Sequence, residues 1–222
     1  MAPQLVVHTV VSKMFSQNAF VVSLENQNDC VVVDPGFEAE AIQQCLAGHQ
    51  LTPKAILNTH GHADHIAGNE FLKRCWPDCP LVIGANDADK LGDPDANLSS
   101  QFGIALSSPP ADHLVHDGEV YAAAGLELEV LEIPGHSKGH VVYVWKGGDP
   151  WIVLSGDVLF QGSIGRTDFP DGDARQLMSS IRGKLFSMPA DTKILPGHGP
   201  STTVSLEKEL NPFVGDRAFD VS

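Results

Sequence analysis

The chain has 222 residues, of which 42% are hydrophobic and 19% are charged, proportions ordinary for a globular protein. We expect one domain spanning residues 1–222, and the net charge of −14 argues against a nucleic-acid partner, which would need clustered Lys and Arg. No apolar run approaches the ~20 residues that cross a bilayer, and the first residues lack the pattern of a signal peptide, so we expect a cytoplasmic protein.

The first half of the chain predicts a β-rich unit. Apolar, β-branched runs separated by polar turns predict strands at residues 6–11, 19–24, 30–33, 54–57 and 81–83. Helices are predicted at 38–47, closed by Gly48, at 68–75 and, as a short one, at 87–91. Residues 93–110 form a long polar segment rich in Pro, Ser, Asn and Asp, and loops of that length are often lids or substrate walls.

The second half of the chain shows the same pattern of apolar strands and a helix. Strands are predicted at 126–133, 141–145, 151–154 and 193–195, with a helix at 174–186 for which Asp173 is the expected N-cap. Strands followed by a helix in each half suggest two αβ units packed sheet to sheet.

The densest chemical signal follows the apolar run 55–57. His60, His62, Asp64 and His65 stand within six positions, in the pattern H-x-H-x-D-H. Histidine is the commonest ligand of transition metals, so a cluster of this kind predicts a metal site at the end of a strand.

Three further ligand-type residues stand beside a glycine after an apolar run. They are His136, Asp157 and His198. Because this arrangement repeats at several strand ends, we expect the ligands to converge on one edge of a sheet.

The order H-x-H-x-D-H, then His, Asp and His, resembles the metallo-β-lactamase superfamily from about residue 6 to 203. Residues 156–160 and 162–168 resemble one branch, that of hydroxyacylglutathione hydrolase (glyoxalase II) and persulfide dioxygenase. The resemblance implies an α/β fold, a four-layer αβ/βα sandwich.

Seven ligands are too many for one catalytic zinc ion, which takes three protein ligands, and two ions sharing one carboxylate would use them all. The resemblance assigns His60, His62 and His136 to one divalent ion, Asp64, His65 and His198 to the other, and Asp157 to both. Zinc is the expected metal, with iron and manganese as alternatives. The resemblance also implies that a metal-bridging hydroxide attacks the substrate, with Asp64 and Asp157 as the catalytic carboxylates.

Two residues are candidates for supporting roles. Asp34 either accepts an imidazole N–H or only closes a turn before Pro35. Arg166 either contacts substrate, pairs with Asp168 or braces the metal loop. His140 is expected to be structural.

The predicted activity is hydrolysis of a small-molecule thioester, with a glutathione thioester as one option. Only 24 residues follow His198 in this sequence, so the resemblance leads us to expect a short form without the helical segment that grips glutathione in longer relatives. The alternative is a mononuclear Fe(II) persulfide dioxygenase that uses His60, His136 and Asp157, a two-His, one-carboxylate set. Hydrolysis of β-lactams also stays open.

Overall fold

The computed structural model describes residues 4–218 and contains two six-stranded sheets. The first sheet runs in chain order, β1 to β6, with antiparallel pairing from β1 to β3 and parallel pairing from β3 to β6. Its strands are β1 Leu5–Val11, β2 Asn18–Leu24, β3 Asp29–Val33, β4 Thr52–Asn58, β5 Leu81–Gly84 and β6 His113–Val115.

The second sheet has the order β14-β13-β10-β9-β8-β7, and β11 and β12 form a separate short hairpin. These strands are β7 Val120–Ala123, β8 Leu126–Glu132, β9 Val141–Trp145, β10 Ile152–Gly156, β11 Leu159–Phe160, β12 Ser163–Ile164, β13 Lys193–Pro196 and β14 Thr202–Thr203. The α-helices are α1 Ala39–His49, α2 Ala63–Ile66, α3 Asn69–Cys75, α4 Ala174–Lys184 and α5 Val204–Leu210.

The two-residue period of the strands separates two hydrophobic surfaces of the first sheet. Phe20 and Val22 of β2 pack between the sheets, whereas Ala19 and Val21 pack toward α1 and α3. The second sheet packs its outer face against α4 and α5. The order of layers is therefore helix, sheet, sheet, helix, which confirms the predicted αβ/βα sandwich.

Several local predictions need correction. The first helix does not close at Gly48 but continues to His49, and Gln50 ends it in the left-handed conformation with φ 57°. The polar segment 93–110 contains a turn of 3₁₀ helix, Ser99–Phe102. The predicted short helix at 87–91 is also 3₁₀, at Ala85–Gly92. The predicted helix at 174–186 leaves the α form at Lys184 and ends as 3₁₀.

Some elements were not predicted at all, notably α5 and the short strands β6, β7, β11, β12 and β14. α5 begins where the Thr203 hydroxyl accepts a hydrogen bond from the Leu206 N–H, at 3.3 Å. The expected N-cap of α4 is confirmed, because the Asp173 carboxylate accepts from the Gln176 N–H at 2.9 Å.

The ends of five strands bring the ligand loops together. β3 and β4 are parallel, and β8, β10 and β13 run in a common direction in the other sheet. The ligands therefore follow the C-terminal ends of strands in both sheets, which face each other. The expectation that they converge on the edge of a single sheet was wrong. No helix within residues 4–218 is long and apolar enough to cross a bilayer. Residues 1–3, which enter the signal-peptide argument, lie outside the described part.

Candidate metal centre

The structure brings all seven ligand-type side chains into one place. Their donor atoms form overlapping groups in which every atom lies within 4.8 Å of the others. The groups are His60 with His62 and His136, His60 with His65 and Asp157, and Asp64 with His65 and His198.

Asp157 lies between the two outer groups. Its Oδ1 is 3.4 Å from Nε2 of His65, and its Oδ2 is 3.6 Å from Nε2 of His136 and 3.5 Å from Nε2 of His198. Two ligand atoms that bind the same tetrahedral ion, each at ~2.1 Å, lie roughly 3.4 Å from each other, and the distances measured here are close to that value. The carboxylate therefore lies within ligand-to-ligand distance of both outer groups.

Three donor atoms that face one another in this cluster are buried without a hydrogen-bond partner in the protein. They are the Nε2 atoms of His60 and His65 and the Oδ1 atom of Asp157. His62 instead turns its Nδ1 toward Nε2 of His136, at 3.0 Å. A buried polar atom without a partner is costly, and a set of such atoms that face one another fits a bound cation. The residues present therefore fit divalent metal ions.

The charges of the cluster also favour a cation. Burial alone would lower the pKa of His65, but Asp157, Asp64 and Asp34 surround the ring and hold its pKa well above the ordinary value. Burial and the neighbouring imidazoles keep the pKa values of His60 and His62 well below the ordinary value. Neutral imidazoles are the form that binds metal, and the carboxylates supply the balancing negative charge.

Asp34 orients two of the imidazoles. Its Oδ2 accepts from Nδ1–H of His65 at 3.0 Å and from the Thr59 hydroxyl at 2.7 Å. The same hydroxyl oxygen lies 3.1 Å from Nδ1 of His60. Both rings thereby place Nδ1 on the supporting side and leave Nε2 facing the cluster, the arrangement that partners of metal-binding histidines impose.

Backbone carbonyls orient two more rings. Nδ1 of His136 donates to the carbonyl of Arg166 at 2.9 Å, and Nδ1 of His198 donates to that of Phe15 at 3.1 Å. Arg166 therefore supports the cluster through its backbone. Its guanidinium binds Asp168 through two hydrogen bonds of 2.9 Å each.

His140 has a closer relation to the cluster than its expected structural role suggests. Its ring is fully buried and stacks on His60, with ring centroids 4.7 Å apart. Nε2 of His140 accepts a hydrogen bond from the backbone N–H of Asp157 at 3.1 Å. The imidazole thus braces both a histidine and the central aspartate.

Asp87 is the supporting residue that the sequence did not reveal. Its buried carboxylate accepts from the N–H of Gly61 at 2.8 Å, from the Ser137 hydroxyl at 2.7 Å and from the N–H of Gly139 at 2.8 Å. It thereby ties the loop of His60 and His62 to the loop of His136. Asp87 lies 26 residues from one partner and more than 50 from another, and no local motif marks it.

Glycines permit the close approach of the ligand loops. A Cβ at Gly197 would overlap Oδ1 of Asp157 and lie 2.6 Å from Cε1 of His65. A Cβ at Gly165 would overlap the Asp157 carbonyl oxygen. Gly156, with φ 47°, turns the chain directly before Asp157.

The described residues contain one further group of metal-type donors, formed by His8, Cys45 and His49. The two rings stack with centroids 3.8 Å apart and an interplanar angle of only 23°. Their lone pairs lie in nearly parallel planes and do not converge on one point. In the centre, by contrast, the rings of His60 and His62 meet at 85°.

A cavity of about 420 Å³ opens above the centre. Asp64, Asp157, His62, His136 and His198 form its polar floor, and mainly apolar side chains form its walls. A substrate that enters this cavity meets the ligand cluster directly.

Comparison with known sequences is consistent with this site. The model of the metallo-β-lactamase superfamily matches residues 13–198. A probable metallo-hydrolase of Bacillus subtilis, YqgX, is 43% identical over 89% of this chain and 92% of its own length. Hydroxyacylglutathione hydrolase GloC of Haemophilus influenzae is 36% identical over 92% of this chain and 95% of its own.

Solved structures agree with the sequence relatives. The B3 metallo-β-lactamase BLEG-1 superposes with a TM-score of 0.89 at 36% identity, covering 94% of this chain and 99% of that one. TTHA1623, solved in a di-iron-bound form, gives a TM-score of 0.81 at 35% identity, covering 93% of this chain and 100% of that one. From the matched motifs, the fold and these relatives, we conclude that the chain belongs to the metallo-β-lactamase superfamily, in its glyoxalase II-like branch.

Proposed function

We propose that the protein is a binuclear metal-dependent hydrolase that cleaves a small-molecule thioester. The observation that carries this proposal is the position of Asp157, whose carboxylate oxygens lie 3.4 to 3.6 Å from donor atoms of both outer ligand groups. A carboxylate in that position suits two ions better than one. The proposed ligands are His60, His62, Asp64, His65, His136, Asp157 and His198.

Two divalent ions, when bound, supply hydroxide at neutral pH and polarise a carbonyl group. The protein's own groups do the positioning. Asp64 and Asp157 line the cavity floor and orient the attacking water, and the apolar walls keep bulk water from the substrate. In the overall reaction a C–O bond forms at the acyl carbon, the C–S bond breaks, and the thiol leaves as a thiolate. A thiolate is a good leaving group, so the chain needs no separate general acid.

Metal content and substrate turnover test this proposal together. Protein isolated without added metal should carry two ions per chain, of zinc, iron or manganese, and should hydrolyse thioesters that include S-lactoylglutathione, the ester suggested by the name of the GloC relative. Two ions without turnover of any thioester would contradict the proposed reaction. One iron per chain, with oxygen uptake on addition of a persulfide, would favour the dioxygenase alternative.

Hydrolysis of β-lactams is the second candidate, because BLEG-1, at 36% identity, bears the name of a B3 metallo-β-lactamase. The same metal-loaded protein should be tested with a chromogenic cephalosporin. Turnover of the cephalosporin that exceeds turnover of every thioester would replace the proposed function.

A further inference from the structure

The walls of the cavity above the metal centre are formed mainly by large apolar side chains. These are Phe15, Leu98, Phe102, Phe160, Ile164 and Phe169. Cavities of this kind bind ligands through apolar contact, and a small number of polar groups fixes their orientation.

Aromatic rings extend from the mouth of the cavity to its floor. The Phe169 ring lies 5.0 Å from the ring of His62 and 5.6 Å from that of His136, between centroids. At the mouth, Phe15 and Phe102 meet edge to face at 5.2 Å. An acyl group bound with its carbonyl at the floor would therefore contact aromatic surface over its whole length.

Phe102 is the exposed member of this wall. It lies in the 3₁₀ turn Ser99–Phe102 and is 59% exposed, although it borders the cavity. An exposed phenylalanine beside a ligand cluster is apolar surface that a bound ligand would cover.

The polar side chains in the same walls are those of Asn97, Gln101, Ser163 and Arg166, and only Arg166 carries a full charge. The Asn97 amide already donates to the carbonyls of Lys90 and Leu106 and accepts from the N–H of Ser99. Arg166 is the single cationic residue in the lining, and its guanidinium binds Asp168 and lies 4.5 Å from the Phe169 ring. The Asp168 carboxylate therefore balances the charge of Arg166 in the wall, although it occupies only Nε and Nη2 of the guanidinium.

From these contacts we infer that the preferred substrate is a thioester with an apolar, ring-containing acyl group on a thiol that carries no carboxylate or phosphate. This inference rests on the proposed function and narrows it. It also excludes glutathione and other thiols that carry carboxylates or phosphates as preferred carriers.

A crossed panel of substrates tests the inference. Phenylacetyl and lactoyl groups would each be joined to N-acetylcysteamine, which is uncharged, to glutathione and to coenzyme A. We expect kcat/KM to be highest for the phenylacetyl ester of N-acetylcysteamine, by about tenfold over its lactoyl counterpart, since a few methylene equivalents of apolar contact are worth that much. A higher kcat/KM for S-lactoylglutathione than for that ester would overturn the inference and leave the hydrolase intact.

Two variants test the walls separately. Phe102→Ala should lower kcat/KM about tenfold for phenylacetyl esters and little for lactoyl esters, whereas Phe213→Ala, an exposed phenylalanine that does not line the cavity, should change neither. Asp168→Asn should remove the charge that balances Arg166 and raise kcat/KM for the glutathione and coenzyme A esters but not for the N-acetylcysteamine esters. An equal effect of Phe102→Ala on both acyl groups would count against the inference.

Binding separates failure of the inference from failure of the proposed function. Thioether analogues, in which a CH₂ group replaces the carbonyl, cannot be hydrolysed. If no thioester is turned over but the phenylethyl thioether of N-acetylcysteamine binds more tightly than the glutathione analogue, the cavity preference stands and the reaction is wrong. Tighter binding of the glutathione analogue would refute the preference whatever the reaction.

Discussion

Oδ2 of Asp34 lies 3.0 Å from Nδ1 of His65, and both side chains are almost completely buried. The carboxylate also accepts from the Thr59 hydroxyl, whose oxygen contacts His60. One carboxylate therefore sets the orientation of one histidine directly and of a second through a hydroxyl.

We expect Asp34→Ala to weaken metal binding about tenfold to a hundredfold, the usual effect of removing such a partner. Competition with a chromophoric chelator measures the change. Asp34→Asn preserves the shape but not the charge, so it should show the smaller loss. Unchanged affinity in the alanine variant would mean that Asp34 serves only the turn before Pro35.

Asp157→Ala should lower bound metal from two ions to one per chain and abolish hydrolysis, because it removes the carboxylate between the two ligand groups. Metal analysis by mass spectrometry, together with thioester turnover, measures both effects. Because His8, Cys45 and His49 also offer donor atoms, the comparison should include His8→Ala, which we expect to leave the count at two. Full activity of the Asp157→Ala protein would end the binuclear proposal.

Gly197→Ala should disturb the centre although it adds only a methyl group. The new Cβ would overlap Oδ1 of Asp157 and crowd Cε1 of the buried His65 ring, so relief of the overlap would displace two proposed ligands. We expect loss of activity by at least tenfold and a lower metal content. Gly183→Ala is the matched control, since its Cβ would meet nothing within 4 Å and alanine favours helix α4 by up to about 1 kcal/mol. Equal activity of the two variants would contradict the prediction that a methyl group at position 197 displaces Asp157 and His65.

Asp87→Ala should destabilise the fold by about 3–5 kcal/mol, because it removes one partner of a buried ion pair and three hydrogen bonds between the ligand loops. The pair is with Lys90, whose Nζ lies 3.3 Å from Oδ1 of Asp87 and 2.6 Å from Asp171. Urea unfolding of the metal-free protein measures the loss. Asp171→Ala removes the other, less buried carboxylate partner of Lys90. A larger loss of unfolding free energy in Asp171→Ala than in Asp87→Ala would mean that the hydrogen bonds of Asp87 to the ligand loops are not the main source of stability.

The four cysteines should differ sharply in reactivity. Burial raises the pKa of Cys30 to about 12 and that of Cys79 to about 11, so at pH 8 only about one thiol in a thousand or fewer would be ionised at either site. Cys75 is exposed. A thiol reagent should therefore label Cys75 first in the native protein, and Cys75→Ser should remove that fast phase. Because the buried groups react only as thiolates, their slow labelling should accelerate as the pH rises. Fast labelling of Cys30 would contradict the packing of β3.

The sequence predicted the long elements and the ligand set because both depend on local patterns. The apolar runs of β2 and β4 and the H-x-H-x-D-H spacing can be read within a few residues. The three-residue strand β6 and the two-residue strand β14 carry no such pattern, since pairing with a neighbour defines them. For α5, the signal was present but overlooked, because Thr203 is an ordinary N-cap residue.

The residues that support the ligands likewise divide into one that local sequence could suggest and one that depends on long-range contacts. Asp34 could be suggested because it stands at a strand end beside Pro35 and Gly36. Asp87 could not, because its partners Gly61 and Gly139 become neighbours only when the two sheets face each other. The separation of the ligands onto two sheets was missed for the same reason.

The hydrogen bond from His198 to the Phe15 carbonyl spans 183 residues, and the N–H of Asn18 donates to the Gly197 carbonyl nearby. A chain made from its N-terminus holds the carbonyl of Phe15 ready long before His198 exists. The second ligand group therefore stays incomplete until nearly all of the chain has left the ribosome. The first proposed group, His60, His62 and His136, is complete about 60 residues earlier, so the two proposed metal positions would become available in order along the nascent chain.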